Sequence, residues 1–206
     1  MPLTLRTLNP QTPNRLLPPP LPIRFRHPLR TLSGNRCTMD IALQKRRENI
    51  AEYILYLWQL EDLMRALQFS PEAIWNTLVA PREGLSEEAR ENFLNWYVEF
   101  CNLLREEGKQ ERGHLDHTLH LIADLHNFHL QLLELPVGEP YRRQYARLAP
   151  SLPALRAALG REAAEVSDTE LCFRALYDSM LYRIKGEGAK GAVADTIDYI
   201  SPVIGT

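Results

Sequence analysis

The chain has 206 residues, with 24 Lys+Arg against 26 Asp+Glu, a formal net charge of −2, 45% hydrophobic and 24% charged residues. That balance is globular and excludes a wholly disordered polymer, a coiled-coil rod and a polybasic nucleic-acid binder. No apolar run reaches the roughly 18 residues a membrane span requires. Three cysteines (Cys37, Cys101, Cys172) without a CxxC support neither a disulfide framework nor a zinc site.

The overall charge hides a split. Residues 1–38 hold six arginines, no lysine, no acid and eight of the 15 prolines; residues 39–206 therefore carry 18 basic and 26 acidic groups, a net of −8. Proline removes backbone donors and forbids helix interiors, so the leader cannot fold regularly by itself. Its proline density defeats an amphipathic transit helix, and Leu16-Leu17 is too short a core for a secretory signal. The expectation is a disordered Pro/Arg-rich extension, with translation starting at Met39 and a single folded domain over 39–206. A genuine disordered tail and a targeting segment are the alternatives.

After Met39 the pattern is helix after helix. Residues 41–69 contain no Gly or Pro and read as one long helix. Ser70-Pro71-Glu72 restarts a helix, with Ser as cap and Pro at the first helical position, running to about Val79. Ser86 caps the next, to about Glu107, with Gly108 as its stop and a stripe of Phe93, Tyr97, Phe100 and Leu104. Another helix is expected from His114 to Leu135-Pro136. Pro140 opens a segment that Pro150 and Pro153 should kink or break. Ser167-Asp168-Thr169-Glu170 fits a capping box, and the helix behind it presents Phe173, Leu176, Tyr177, Met180 and Ile184 at helical spacing. Ala189–Ile204 reads as a last, weaker helix. The fold class is all-α: a single-domain helical bundle of five or six helices.

Five of the six histidines fall in residues 113–130. His117, His120 and Asp124 share a face at spacings of three and four, which would suit a metal. Asn127, Gln131 and Glu134 extend that same polar face, so a solvated, metal-free surface is expected. His114 and His126 project among leucines instead, and buried imidazoles need partners. The first long helix can supply them. Glu48, Glu52, Gln59 and Asp62 form a polar stripe, whereas Glu61 and Arg65 sit four apart beside Ile50, Ile54, Leu57 and Trp58. A charged pair on so apolar a face must recruit further hydrogen bonds. Glu61, Arg65, His114 and His126 are thus the candidate buried polar cluster. Cys101 and Cys172 flank apolar stripes and read as packing residues. There is no Walker loop, GxSxG or HExxH, and no catalytic residue and no cofactor is assigned.

The segments 44–66 (QKRRENIAEYILYLWQLEDLMRA), Gly113-His114-Leu115, 123–133 (ADLHNFHLQLL) and 170–183 (ELCFRALYDSMLYR) resemble a family of small all-helical bacterial proteins catalogued as a domain of unknown function. The most specific part is Trp58, Gln59, Glu61 and Asp62. The resemblance spans about residue 40 to the C-terminus, where the last helix looks cut short, and it implies an all-helical fold and a cytoplasmic setting. It implies no reaction or cofactor. The functional expectation is a non-enzymatic domain working through a protein partner or as a homo-oligomer, without nucleic acid or membrane. The rival is a small-molecule- or metal-dependent enzyme with an internal pocket around Glu61, Arg65, His114 and His126.

Overall fold

The computed structural model describes residues 49–204; the expectations for residues 1–38 and for Met39 lie outside them. Within the described residues every regular element is helical. Helix α1 (Ile50–Ala66) starts at Asn49, whose side-chain oxygen accepts from the Ala51 and Glu52 amides at 3.1 Å each. The long helix expected over 41–69 is therefore bounded inside that range. A local polar cap sets its start. Its end is set by Gln68 and Phe69, both left-handed at φ 53° and 56°. Neither is glycine, so the turn is strained. It is held by the Phe69 amide donating to the Met64 carbonyl at 3.0 Å and by Arg105 lying 5.2 Å over the Phe69 ring.

Ser70 caps α2 (Pro71–Ile74), which continues as a π-helical turn over Trp75–Val79. Ser86 caps α3 (Glu87–Glu106), and its stripe of Phe93, Tyr97, Phe100 and Leu104 is buried. Helix α4 (Asp116–Glu134) begins two residues later than the sequence suggests, leaving His114 in the connection before it. The segment opened by Pro140 divides at its prolines into α5 (Glu139–Leu148), a 3-10 turn over Ala149–Ser151, and α6 (Leu152–Leu159). This division gives more and shorter helices than the five or six expected. Ser167 caps α7 (Asp168–Ile184) by accepting from the Glu170 amide at 3.2 Å, but the Glu170 carboxylate turns forward to Arg174 at 2.8 Å rather than back to complete a box. Helix α8 is Gly191–Ile204.

Three apolar clusters hold these helices. The first joins α1, α2 and α3 through Leu57, Met64, Ile74, Phe100 and Leu104. The second joins α5, α6, α7 and α8 through Leu148, Leu155, Leu171 and Ile200. The third fastens these halves together with Ile54 and Trp58 of α1, Ile122 of α4, and Phe173 and Tyr177 of α7. Each fully buried side chain of this size contributes roughly 1.5–3 kcal/mol. Helix α7 serves two clusters and is buried on most sides, which a single stripe does not capture. Ile184, expected in that stripe, is 41% exposed at the helix end. Among the described residues, no helix is long and apolar enough to cross a membrane.

Connections are pinned by arginines whose guanidinium groups donate to several carbonyls at once. Arg90 holds Ala80 and Arg82 at 2.9 and 2.7 Å, Arg142 holds Leu135 at 2.6 Å, and Arg156 holds Ala163 and Val166 at 2.6 and 2.7 Å. A planar fork of five donors can satisfy the orphan carbonyls at helix ends in this way.

Candidate functional site

Histidines mark two polar sites, one at each end of α4. The first is built on α1. Glu61 is fully buried; one of its oxygens accepts from His114 Nδ1 at 2.7 Å and the other from the Leu115 amide at 3.1 Å. Arg65, four residues along, reaches Glu61 only at 4.0 Å. Its closer partners are Asp62 at 2.7 Å, the Lys109 carbonyl at 3.0 Å and the Gly113 carbonyl. The His114 ring lies flat on Trp58, with centroids 3.7 Å apart and planes 10° apart. Trp58 Nε1 donates to Thr118 at 3.1 Å, and the Thr118 hydroxyl donates to the Leu115 carbonyl at 2.8 Å. Behind Trp58, the Tyr177 hydroxyl donates to Asp62 at 2.5 Å. Burial, and then the Asp62 carboxylate, push that hydroxyl well above the usual tyrosine range.

A carboxylate bonded to an imidazole is also the pairing that orients a general base. Here both carboxylate oxygens are occupied, Glu61 has no solvent exposure and one face of the imidazole is covered by indole. What the arrangement does mechanically is fasten the 107–115 connection to α1: Glu61 takes its amide, Arg65 its carbonyls.

The second site lies where α4 ends. Pro136–Gly138 forms a 3-10 turn that folds α5 back against α4. A methyl group on Gly138 would overlap the backbone carbonyl of Leu132, so only glycine permits this close approach. The turn brings Tyr141 to His129, with the hydroxyl 2.6 Å from Nδ1. The Tyr145 ring packs edgewise on His129 at 4.6 Å, and its hydroxyl donates to Asp168, the first residue of α7, at 2.9 Å. The other Asp168 oxygen accepts from Arg156 at 2.9 Å. His126 stacks beside His129 at 5.5 Å and bonds Thr169 at 3.2 Å.

His129, Tyr141, Tyr145, Asp168 and Thr169 border a cavity of about 230 Å³ between α4, α5, α7 and α8 and the start of α1, walled otherwise by side chains such as Leu125, Leu132, Leu148 and Val203. Burial, reinforced by His126, holds the His129 imidazole below its ordinary pKa, with Asp168 opposing. Burial likewise pushes the Tyr141 hydroxyl and the Cys172 thiol up to about 12 each. Tyr145 is raised further by burial and its bond to Asp168. The histidine, tyrosines and cysteine of this wall are therefore uncharged at neutral pH.

The structure thus brings Glu61, Arg65 and His114 together and takes His126 away from them to the second site, where it stacks on His129 and bonds Thr169 outside the cavity lining. His129, Tyr141, Tyr145 and Asp168 were not singled out by sequence reasoning. The available hints were the i,i+3 spacing of His126 and His129 and the i,i+4 spacing of Tyr141 and Tyr145. On the His117 face, His120 and Asp124 are exposed and His117 packs edgewise on Tyr53 at 6.3 Å. Among the described residues no three His, Cys, Asp or Glu side chains are grouped to hold a metal ion. Cys101 and Cys172 are buried free thiols.

No curated protein and no solved structure matches the chain. A family model does: residues 39–206 match the domain of unknown function DUF4924. The match takes in both histidine sites and every described helix, so the chain belongs to that family.

Proposed function

We propose that this protein is a small-molecule-binding helical domain, non-enzymatic, with its binding site in the cavity between α4, α5, α7 and α8. The observation that carries the reading is the cavity itself: about 230 Å³ of space bordered by polar side chains that converge from three helices, among them His129, Tyr141, Tyr145, Asp168 and Thr169. Apolar pockets with a few convergent polar groups are the usual form of a ligand site. The Glu61–Arg65–His114 group then has a structural role, supported by its closed hydrogen-bonding and its grip on the 107–115 connection.

Native mass spectrometry of protein purified from its own host tests this. A copurifying mass is expected, and it should be lost in Val203→Phe, which fills the cavity. The reading fails if the wild-type protein carries no adduct and the two proteins respond identically to a small-molecule library in thermal melts.

A second reading, contact with a protein partner or a second copy, draws support from the exposed apolar residues at the end of α4: Phe128 at 54%, Leu135 at 47% and Val137 at 76%. Light scattering on wild type and Val137→Glu tests it. A change in mass on substitution supports a homo-oligomer.

A further inference from the structure

We propose that the cavity's ligand is a small neutral molecule, largely apolar, of roughly nine non-hydrogen atoms, carrying one hydroxyl or carbonyl group that bonds to the His129–Tyr141 pair. This rests on the small-molecule reading above and names the class.

Size comes from volume. A cavity of about 150 Å³ takes benzene, so 230 Å³ accommodates roughly nine such atoms at the same packing.

Charge comes from the wall. No lysine or arginine lines the cavity, so an anion finds no counter-charge, and the Asp168 carboxylate opposes it. A cation fares little better. Both Asp168 oxygens are already engaged, one by Tyr145 and one by the Arg156 guanidinium, which neutralises the carboxylate locally. A charged group placed against these residues would give up part of its hydration to a wall that offers it no uncompensated counter-charge.

The polar handle follows from counting protons. His129 Nδ1 and the Tyr141 hydroxyl share one hydrogen bond of 2.6 Å. A neutral imidazole and a phenol together carry two such protons. One lies in their mutual bond, and one remains. If Tyr141 donates, the remaining donor is His129 Nε2–H and the spare acceptor is the phenolic oxygen. If His129 donates, the donor is the Tyr141 hydroxyl and the acceptor is Nε2. In both tautomers the pair offers one donor and one acceptor, and a hydroxyl or carbonyl can use it whichever way the proton lies. The rest of the lining, with Leu125, Leu148 and Val203, suits a ring or branched alkyl body.

The test uses four probes of one shape: p-cresol, toluene, 4-methylbenzoate and 4-methylbenzylamine, each titrated into the full chain near neutral pH and followed by ligand-observed NMR. The expected result is saturable binding of p-cresol, roughly tenfold tighter than toluene, as one net hydrogen bond gives, with both ions at least tenfold weaker than p-cresol. Tyr141→Phe and His129→Phe should each weaken p-cresol severalfold, and the double variant should bring it down to the level of toluene, with toluene unchanged throughout. Tyr141→Phe removes only an oxygen and keeps the test usable if His129→Phe does not fold. Val203→Phe should abolish both. If an ion binds as tightly as p-cresol and Val203→Phe abolishes it, the neutral class is wrong and the site stands. If no probe saturates, or Val203→Phe leaves binding intact, the small-molecule reading itself fails.

Discussion

The two ends of α4 solve the same problem in opposite ways. At its start, a fully buried carboxylate is surrounded until both oxygens are bonded, and a histidine is packed flat on an indole. At its end, a buried histidine, a buried tyrosine and a half-buried one all have partners but leave about 230 Å³ unfilled beside them. A site that only stabilises has no reason to retain space, since unfilled volume forfeits packing. The contrast separates a polar network that ties a connection down from one placed beside room for something else. Carboxylate, imidazole and arginine in proximity do not by themselves make a functional site.

The comparison is broken most severely at Glu61. Glu61→Leu should cost roughly 3–5 kcal/mol, as for removing one partner of a buried charged pair, because it strands His114, the Leu115 amide and Arg65 at once. Adding Arg65→Met should not recover the loss, since the imidazole and amide remain unpaired. Urea melts of the single and double variants check this, and a double variant near wild type would mean the 4.0 Å ion pair dominates after all.

At the other end the most sensitive position carries no charge. Gly138→Ala should destabilise by about 3 kcal/mol, the upper range for overpacking, because the methyl meets backbone rather than a movable side chain. The same substitution should weaken the cavity by shifting Tyr141 away from His129. Thermal melts together with p-cresol titration report both effects.

Filling the cavity should do the reverse of damaging the Glu61 network. Val203→Phe is expected to leave stability unchanged or raise it by about 0.5–1 kcal/mol, as cavity-filling changes do. A loss above 2 kcal/mol on the overpacking scale would show that the space is tighter than its volume indicates.

The last effect is a slope rather than a step. His129 is held below its ordinary pKa by burial, with His126 adding to this and Asp168 opposing. The unfolded chain therefore binds this proton more readily than the folded one. Stability should be fully present above the ordinary histidine value of about 6.5 and decline as pH falls from there toward the lower folded value. His129→Gln should flatten the part of the pH–stability curve that His129 contributes. Urea melts at stepped pH values measure it, and an unchanged slope would mean that another group carries the dependence.

Much of the fold is legible in local chemistry. Ser70, Ser86 and Ser167 cap the helices they announce, and the Phe93–Leu104 stripe is buried as its spacing requires. These features depend on residues three or four apart, and a single turn of chain suffices to satisfy them. Legibility failed where the partner was distant. The sequence pattern puts His114 on α4, whereas Glu61, 53 residues away, holds it in the connection before that helix. The same pattern groups His126 with Glu61 on apolar faces, but Thr169 takes it to the other site.

Periodicity and nearest-neighbour hydrogen bonds are enough to set the all-helical class, the caps and breaks that parcel the chain, and the apolarity of α1 and α4. Which imidazole lies flat on an indole and which borders a cavity depends instead on contacts between distant segments. That outcome depends on how closely a turn can approach a helix end at Gly138, and on which helices meet beyond it, α5 and α7, whose side chains leave a volume unfilled. Void space is a property of several surfaces that fail to interlock, and no single segment of chain encodes it.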